Sequence, residues 1–384
     1  MMLLEHDAKM LLASRGVPVP AGRLFQRDDA ALFEEVNPFK NSVVKAQVPT
    51  GGRGKAGGIA LVESPQNLRT ALDRIFGLQI KGHPVRSCRV EAAVSGIECY
   101  FGLILEPSSG QLRVLVSASG GVDIEAYASD GAVLSDSAAF DVAAIVALTA
   151  QLIADFPAPQ REALLEAGKV LTPLFFEFEA TMLEINPLFV LDHGAWVVGD
   201  VKLVIDDNSL PRQTQIAQLL QARAPDYPEA ILKLTQGFDF VVLDEGGDIG
   251  LITTGAGLSM QLVDEIIARG HAPFNFCDIR TGQFRGNPAR LVQVLRWISG
   301  GSNIRSVMMN FFAGITHLGE LARLIVTALE QVPEMKAPIT VRMIGNGYEE
   351  ALAVFADSGL AIRIEPDLEL ALTHALQPLR GMRP

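Results

Sequence analysis

Cysteine is scarce in this chain. Cys88, Cys99 and Cys277 are its three thiols in 384 residues, and none stands at CxxC spacing from another. That argues against a disulfide scaffold and a thiolate zinc site, and the three read as reduced packing residues of a cytoplasmic protein. The six histidines are scattered, with no metal-ligand spacing to a cysteine. No apolar run reaches the length of about 18 residues that a transmembrane helix needs. The first residues turn acidic at Glu5 and Asp7 and lack the layout of a signal peptide. Basic residues are in deficit as well, 32 Lys and Arg against 44 Asp and Glu, for a net charge of -12. Such a balance argues against a broad nucleic-acid or anionic-membrane surface but leaves room for a local basic pocket.

What is present is globular. The chain is 49% hydrophobic, enough for full cores, and its length predicts two or three domains. A helix is expected over 5–15, with Ala8, Leu11 and Leu12 as its apolar face, Gly16 as its stop, and Pro18 and Pro20 beyond. A strand at 41–48 runs into a glycine-rich loop and returns at 59–62. A helix capped by Ser64 follows through Phe76. Strands are expected at 85–93, 99–106 and 112–117, and helices at 141–155 and 158–180. Polar, proline-interrupted helical text from 211 to 237 reads as a domain connection. Beyond it, apolar strands at 249–254, 273–277, 307–311, 339–343 and 361–364 alternate with helices at 258–269, 287–299, 317–331, 347–358 and 367–376. Such alternation predicts a doubly wound parallel α/β domain with its ligand loops at the carboxyl ends of the strands.

Four motifs carry chemistry. Asn186 and Asp200 lie near the ends of two short strands, 182–185 and 196–199, with a turn composition at 191–194 between them. A hairpin of that length brings their oxygens together, the kind of ligand pair Mg2+ takes when nucleotide phosphates complete its shell. The segment 51–58, Gly-Gly-Arg-Gly-Lys-Ala-Gly-Gly, frees the backbone to approach a ligand and adds Arg53 and Lys55. It is not a Walker A loop, since Pro49 and Ala56 stand where glycine and a hydroxyl are required. A hairpin lid over phosphates fits it, and so does an ordinary basic turn. Gly255-Ala256-Gly257 and Asn310 to Thr316 each follow a strand and open a helix, as anion-binding loops do and as plain strand-to-helix turns also do.

Together these motifs resemble the β subunit of succinyl-CoA synthetase (succinate–CoA ligase) and related ADP-forming acid–CoA ligases. The resemblance runs from the opening Leu4-Glu5-His6-Asp7-Ala8-Lys9 through Val44-Lys45-Ala46-Gln47, the glycine-rich lid near 45–62 and Glu184-Ile185-Asn186-Pro187-Leu188. It continues through Asp206 to Leu210, Gly255 to Leu258 and Asn310 to Ile315. It implies an ATP-grasp nucleotide-binding domain over 1–237 and a flavodoxin-like CoA-ligase domain over 238–384. By motif match, Lys45, Gly52, Arg53 and Gly54 meet nucleotide phosphates, and Glu91, Val94 and Glu98 belong to the nucleotide pocket, Glu91 near the adenine. Asn186 and Asp200 hold Mg2+. Glu184 steadies a phosphohistidine that belongs to an α subunit. Thr254, Arg280, Gly314, Ile315 and Thr316 fall in the acid and phosphate region. The implied activity joins a small acid to CoA at the expense of ATP or GTP, with a CoA-binding α subunit in an αβ or α2β2 assembly.

Two departures bear on the acid. Thr254 stands where the family commonly has asparagine, and Arg280 where it has glycine in Asp-Val-Gly-Gly-Gly-Ala. Arg280 is expected either to hold a second anionic group of the acid or to pair with a neighbour such as Asp278. Succinate and a related small carboxylate both remain open. An idle regulatory partner subunit and a carboxylate–amine ligase are the alternatives, although the latter has no need of residues 238–384.

Overall fold

The computed structural model describes residues 1–27, 41–121 and 133–379, which form two compact units, Met1–Leu219 and Leu220–Pro384. The first unit begins with helix α1 (Glu5–Ala13), shorter than expected because Gly16, at φ +80°, turns the chain. Strand β1 (Gly22–Gln26) follows, then β2 (Ser42–Gln47) and β3 (Ile59–Val62) on either side of the glycine-rich loop. Helix α2 (Pro65–Phe76) starts where Ser64 accepts a hydrogen bond from the Asn67 amide. A short ribbon, β4 (Gln79–Ile80) with β5 (His83–Pro84), leads to β6 (Ser87–Ala92). Antiparallel pairing gives the order β1-β6-β2-β3. Leu68, Leu72 and Ile75 of α2 share one core with Val44, Ala46 and Val90 of this sheet.

The second sheet is built from β7 (Ile97–Glu106), β8 (Gln111–Ser117), β9 (Leu134–Ala139), β10 (Ala180–Val190), β11 (Trp196–Val198) and β12 (Val201–Ile205). Helices α3 (Val142–Leu152) and α4 (Ala158–Glu177) pack on it. Strand β10 runs much longer than the expected 182–185. Its first half pairs with β12 and its second with β11, and the register shifts at Asn186-Pro187, a cis peptide. Asn186 therefore sits at the break, and Asp200 at the matching break between β11 and β12. The Asn186 amide donates to the Asp200 carbonyl at 3.2 Å.

Helix α5 (Thr214–Ala222) spans the division between the units, and α6 (Pro228–Gln236) follows. The sequence draws its boundary at 237. The compact units divide near 220, because α6 packs against strand β13 (Asp239–Val242) and Leu232 joins the core of the second unit.

That unit carries β14 (Ile249–Thr253), β15 (Asn275–Asp278), β16 (Ser306–Ala313), β17 (Ile339–Gly345) and β18 (Ile362–Ile364). Helices α7 (Ala256–Ala268), α8 (Ala289–Ser299), α9 (Leu318–Glu330), α10 (Tyr348–Asp357) and α11 (Leu368–Leu376) alternate with them. The order is β13-β15-β14-β16-β17-β18. Its five parallel strands follow the flavodoxin-like sequence 2-1-3-4-5, as expected. Strand β13 departs from the expected all-parallel sheet by running antiparallel to β15 at the edge. Phe240 anchors it, its ring 4.9 Å from that of Trp297. All three cysteines are buried, and burial pushes Cys88 up to about 12 and Cys99 up to about 11. Such thiols are packing groups, not nucleophiles. No described helix is long and apolar enough to cross a membrane.

Candidate nucleotide and metal site

One cavity of the first unit, about 440 Å³, is lined by Lys45, Gly52, Arg53, Gly54, Glu91, Val94, Glu98, Glu184, Asn186 and Asp200. These ten residues come from β2, the lid loop, the end of β6, the start of β7, the interior of β10 and the breaks at Asn186 and Asp200. Lys45 lies on the face of β2 opposite the core residues Val44 and Ala46, and its ammonium donates to Glu5 Oε1 at 2.9 Å and to the Gly199 carbonyl at 2.6 Å. Glu91 Oε1 lies 2.8 Å from the same ammonium. Arg53 reaches inward from the loop, Nη1 to Glu5 Oε2 at 2.7 Å and to the Ala46 carbonyl at 3.0 Å. Its Nη2 meets both oxygens of Asp200 at 2.7 Å.

Sequence reasoning missed three members of this cluster, Glu5, Lys9 and Arg89. Glu5 and Lys9, both buried, stand four residues apart on α1, and Lys9 Nζ contacts Glu5 and Glu91 at 2.8 Å each. An i,i+4 acid–base pair usually marks a solvated helix face, so nothing local announces that this one turns inward. Arg89 completes the group, its Nε 2.6 Å from Glu91 Oε2. Glu91 thus lines the cavity with its carboxylate engaged by Lys9, Lys45 and Arg89.

Four cations contact three buried or half-buried carboxylates here, and Glu98 and Glu184 line the same cavity, so Lys45 and Arg53 are local positive points for phosphate within a mixed-charge site. Burial pushes the Glu5 carboxyl up, and Lys45, Lys9 and Arg53 more than offset it, so the group sits well below the usual carboxylate range. Glu91 is lowered for the same reasons, burial opposed chiefly by Lys45 and Lys9. Burial lowers Lys45, but Glu5, Asp200 and Glu91 outweigh it and raise the ammonium above its ordinary value, keeping it charged.

Gly199 permits this arrangement. A Cβ there would fall 2.5 Å from the Phe189 ring and 2.7 Å from the Pro187 carbonyl. Glu184 is paired in register with Gly102 on one side and Lys202 on the other. The Tyr100 hydroxyl lies over Gly102. Burial and then the Glu184 carboxylate raise it.

The ATP-grasp domain family matches residues 2–190. The ADP-forming succinate–CoA ligase subunit beta of Haloarcula marismortui is 32% identical over 391 residues, covering 98% of both chains. The corresponding GDP-forming subunit of Thermus thermophilus is 35% identical over 367 residues, covering 91% of this chain and 92% of its own. This chain belongs to the succinate–CoA ligase β-subunit family. Its fold also matches that of an ATP citrate lyase from Methanothrix soehngenii, with a TM-score of 0.73 at 19% identity, over 98% of this chain and 99% of that one.

The family's metal pair can be tested here against donor chemistry. Asn186 Oδ1 accepts from the Gly121 amide at 2.7 Å, while Nδ2 donates to the Gly121 carbonyl at 3.1 Å. Asp200 Oδ1 also accepts from its neighbour Val201 at 2.7 Å. These hard oxygen donors suit Mg2+. Among the described residues no group of three or more His, Cys, Asp and Glu side chains gathers as a metal cage. A metal held by Asn186 and Asp200 would take its further oxygens from phosphate and water.

The residues expected in the acid and phosphate region are placed less uniformly. A cavity of about 540 Å³ in the second unit opens beside the loops after β15 and β16. Ile315 and Thr316 line it, but Thr254, Arg280 and Gly314 do not. Thr254 spends its hydroxyl on the Phe312 amide at 3.3 Å. Arg280 donates to Asp239 Oδ2 at 2.8 Å, so its guanidinium turns to the edge strand β13. The expected neighbour Asp278 meets only its backbone amide. Instead Thr281, Arg285, His317, Glu320 and Arg323 supply the polar wall, Arg323 paired with Glu350 at 2.7 Å and the Thr281 and Thr316 hydroxyls 3.1 Å apart.

Proposed function

We propose that this chain is the nucleotide-binding β subunit of an ADP-forming acid–CoA ligase and turns over together with an α subunit. The observation that carries this reading is the convergence of Lys45, Arg53, Glu184, Asn186 and Asp200 on one cavity in a member of this family. Lys45 and Arg53 neutralise the β- and γ-phosphates of ATP. Mg2+ on Asn186 and Asp200 adds charge neutralisation for phosphoryl transfer. Glu184 accepts a hydrogen bond from the partner's imidazole and orients it for in-line attack, from a position set by the pairing of β10 with β7 and β12.

The acid is activated as an acyl phosphate and captured by the CoA thiol. Its place in this chain is the cavity of the second unit, where Arg285, His317 and the Thr281–Thr316 hydroxyls suit a small acid with a second anionic group. The start of α9, beyond Gly314-Ile315-Thr316, turns backbone N–H groups toward the phosphate. The relatives named above carry succinate in their names, and succinate heads the panel to be tried.

The decisive experiment mixes this chain with its α subunit, Mg2+, CoA, γ-32P-ATP and a panel of small carboxylic acids. Label is expected on a histidine of the partner and thioester only when both chains are present. Label on a histidine of this chain, or thioester made by this chain alone, overturns the assignment. Glu184→Ala should slow partner phosphorylation at least tenfold, by loss of a hydrogen bond that strengthens as charge develops, with little change in Mg·ADP affinity.

A further inference from the structure

We infer that Glu5, in the first turn of α1, is a positioning residue for the phosphate-binding cations. The inference rests on the reading that Lys45 and Arg53 receive the phosphates. Glu5 is 3% exposed, and both its oxygens are used, Oε1 by Lys9 and Lys45 and Oε2 by Arg53. Its own place is fixed by backbone pairing. The Leu3 amide donates to Leu203 at 2.9 Å and the Ile205 amide to Met1 at 2.8 Å. The strand so gripped is β12, which begins at the residue after Asp200. Glu5 is thus registered to the carboxylate on the opposite side of the Arg53 guanidinium.

Arg53 needs such a registration. It sits in a loop whose glycines reach φ +81° at Gly52 and +75° at Gly57, without a ladder to set its side chain. A planar guanidinium is oriented by acceptors on its edges. Glu5 and the Ala46 carbonyl hold one edge, and Asp200 holds the other. Phosphate can exchange with Asp200 at the outer edge only if the inner edge stays anchored. Lys45 is in a similar position, because Lys9 shares its three acceptors, Glu5, Glu91 and the Gly199 carbonyl. With Glu5 removed, two like charges compete for the remaining two.

Charge alone and positioning predict opposite signs. Glu5→Gln leaves four cations in contact with two carboxylates, and charge alone would draw an anionic nucleotide in more tightly. Loss of positioning weakens it. The full-length chain is titrated with Mg·ADP by calorimetry as wild type, Glu5→Gln, Arg53→Met and the double variant, with thermal melts to verify folding. Glu5→Gln is expected to weaken Mg·ADP by roughly tenfold or more. The double variant should lose less than the product of the two single losses, as coupled residues do.

Unchanged or tighter binding by Glu5→Gln, or a double-variant loss equal to the product, overturns the inference while leaving the nucleotide reading intact. Wild-type binding by Arg53→Met overturns both. If Glu5→Gln does not fold, Glu5→Gln with Lys9→Met removes one charge of each sign and is titrated in its place. Weakened binding supports the inference, and unchanged binding overturns it.

Discussion

Arg53 and Asp200, 147 residues apart in the chain, are joined through one guanidinium nitrogen, Nη2, which lies 2.7 Å from each carboxylate oxygen. One carboxylate therefore serves the loop cation and, in the proposed function, the metal. In that reading, loading of Mg·nucleotide moves Arg53 from Asp200 to phosphate, which links lid geometry to metal binding.

This link makes Asp200→Asn informative. The variant removes the only full charge of the metal pair and releases the outer edge of Arg53. Calorimetry should find Mg·ADP affinity reduced by about tenfold or more, as expected for loss of a charged ligand. Metal-free ADP should bind at least as tightly as it does to wild type. An equal loss with and without Mg2+ would remove Asp200 from the metal site.

Gly199→Ala tests the close packing beneath the lysines. Its new methyl group meets the Phe189 ring at 2.5 Å and the Pro187 carbonyl at 2.7 Å, so the backbone has to shift. Overpacking of this kind costs about 1–3 kcal/mol, and the displaced Gly199 carbonyl bonds both Lys9 and Lys45. Denaturant unfolding should record the stability loss and calorimetry a parallel loss of nucleotide affinity. Wild-type values in both would contradict the packing described.

Arg280 and Arg285 separate structure from acid selection. The Arg280–Asp239 pair is largely solvated and contributes at most about 1 kcal/mol. Arg280 also holds φ at +52°, a conformation glycine adopts readily. Arg280→Gly should therefore change stability by less than about 1 kcal/mol and leave the ranking of acids unchanged. Arg285→Met, which removes a cation from the cavity wall, should raise KM for the preferred acid by roughly tenfold through loss of a charged hydrogen bond. The opposite outcome in an acid panel would return selection to Arg280.

Acid stability should report on the buried cluster. Glu5 and Glu91 have folded values below their ordinary 4.5. A depressed carboxyl contributes stability that is full above the unfolded value and is lost as pH falls through the folded one. Unfolding free energy should thus hold level, as far as these groups govern it, down to about pH 4.5 and fall below it. Glu5→Gln should show a shallower acid slope. An identical slope in wild type and variant would mean that Glu5 is not held ionised by Lys45, Lys9 and Arg53.

The sequence by itself determined the motifs and their order. A glycine-rich segment between two short strands, Asn186 and Asp200 on strand ends, and the β/α alternation after residue 249 are local patterns. Their roles are what the family resemblance implies, and the first cavity gathers the ten residues expected at the catalytic, nucleotide and metal positions, while the five expected in the acid and phosphate region belong to the second unit. Only the tertiary structure decided where long side chains point. Nothing local says that Glu5 and Lys9 turn inward, where β12 holds α1, and of the two readings open for Arg280, anion ligand or ion pair, the partner found is Asp239, 41 residues away. Strand β13 likewise becomes a strand through its pairing with β15 and the packing of Phe240 on Trp297. These are contacts between distant residues, and a charged side chain's partner depends on what folding brings within about 3 Å, which no local pattern records.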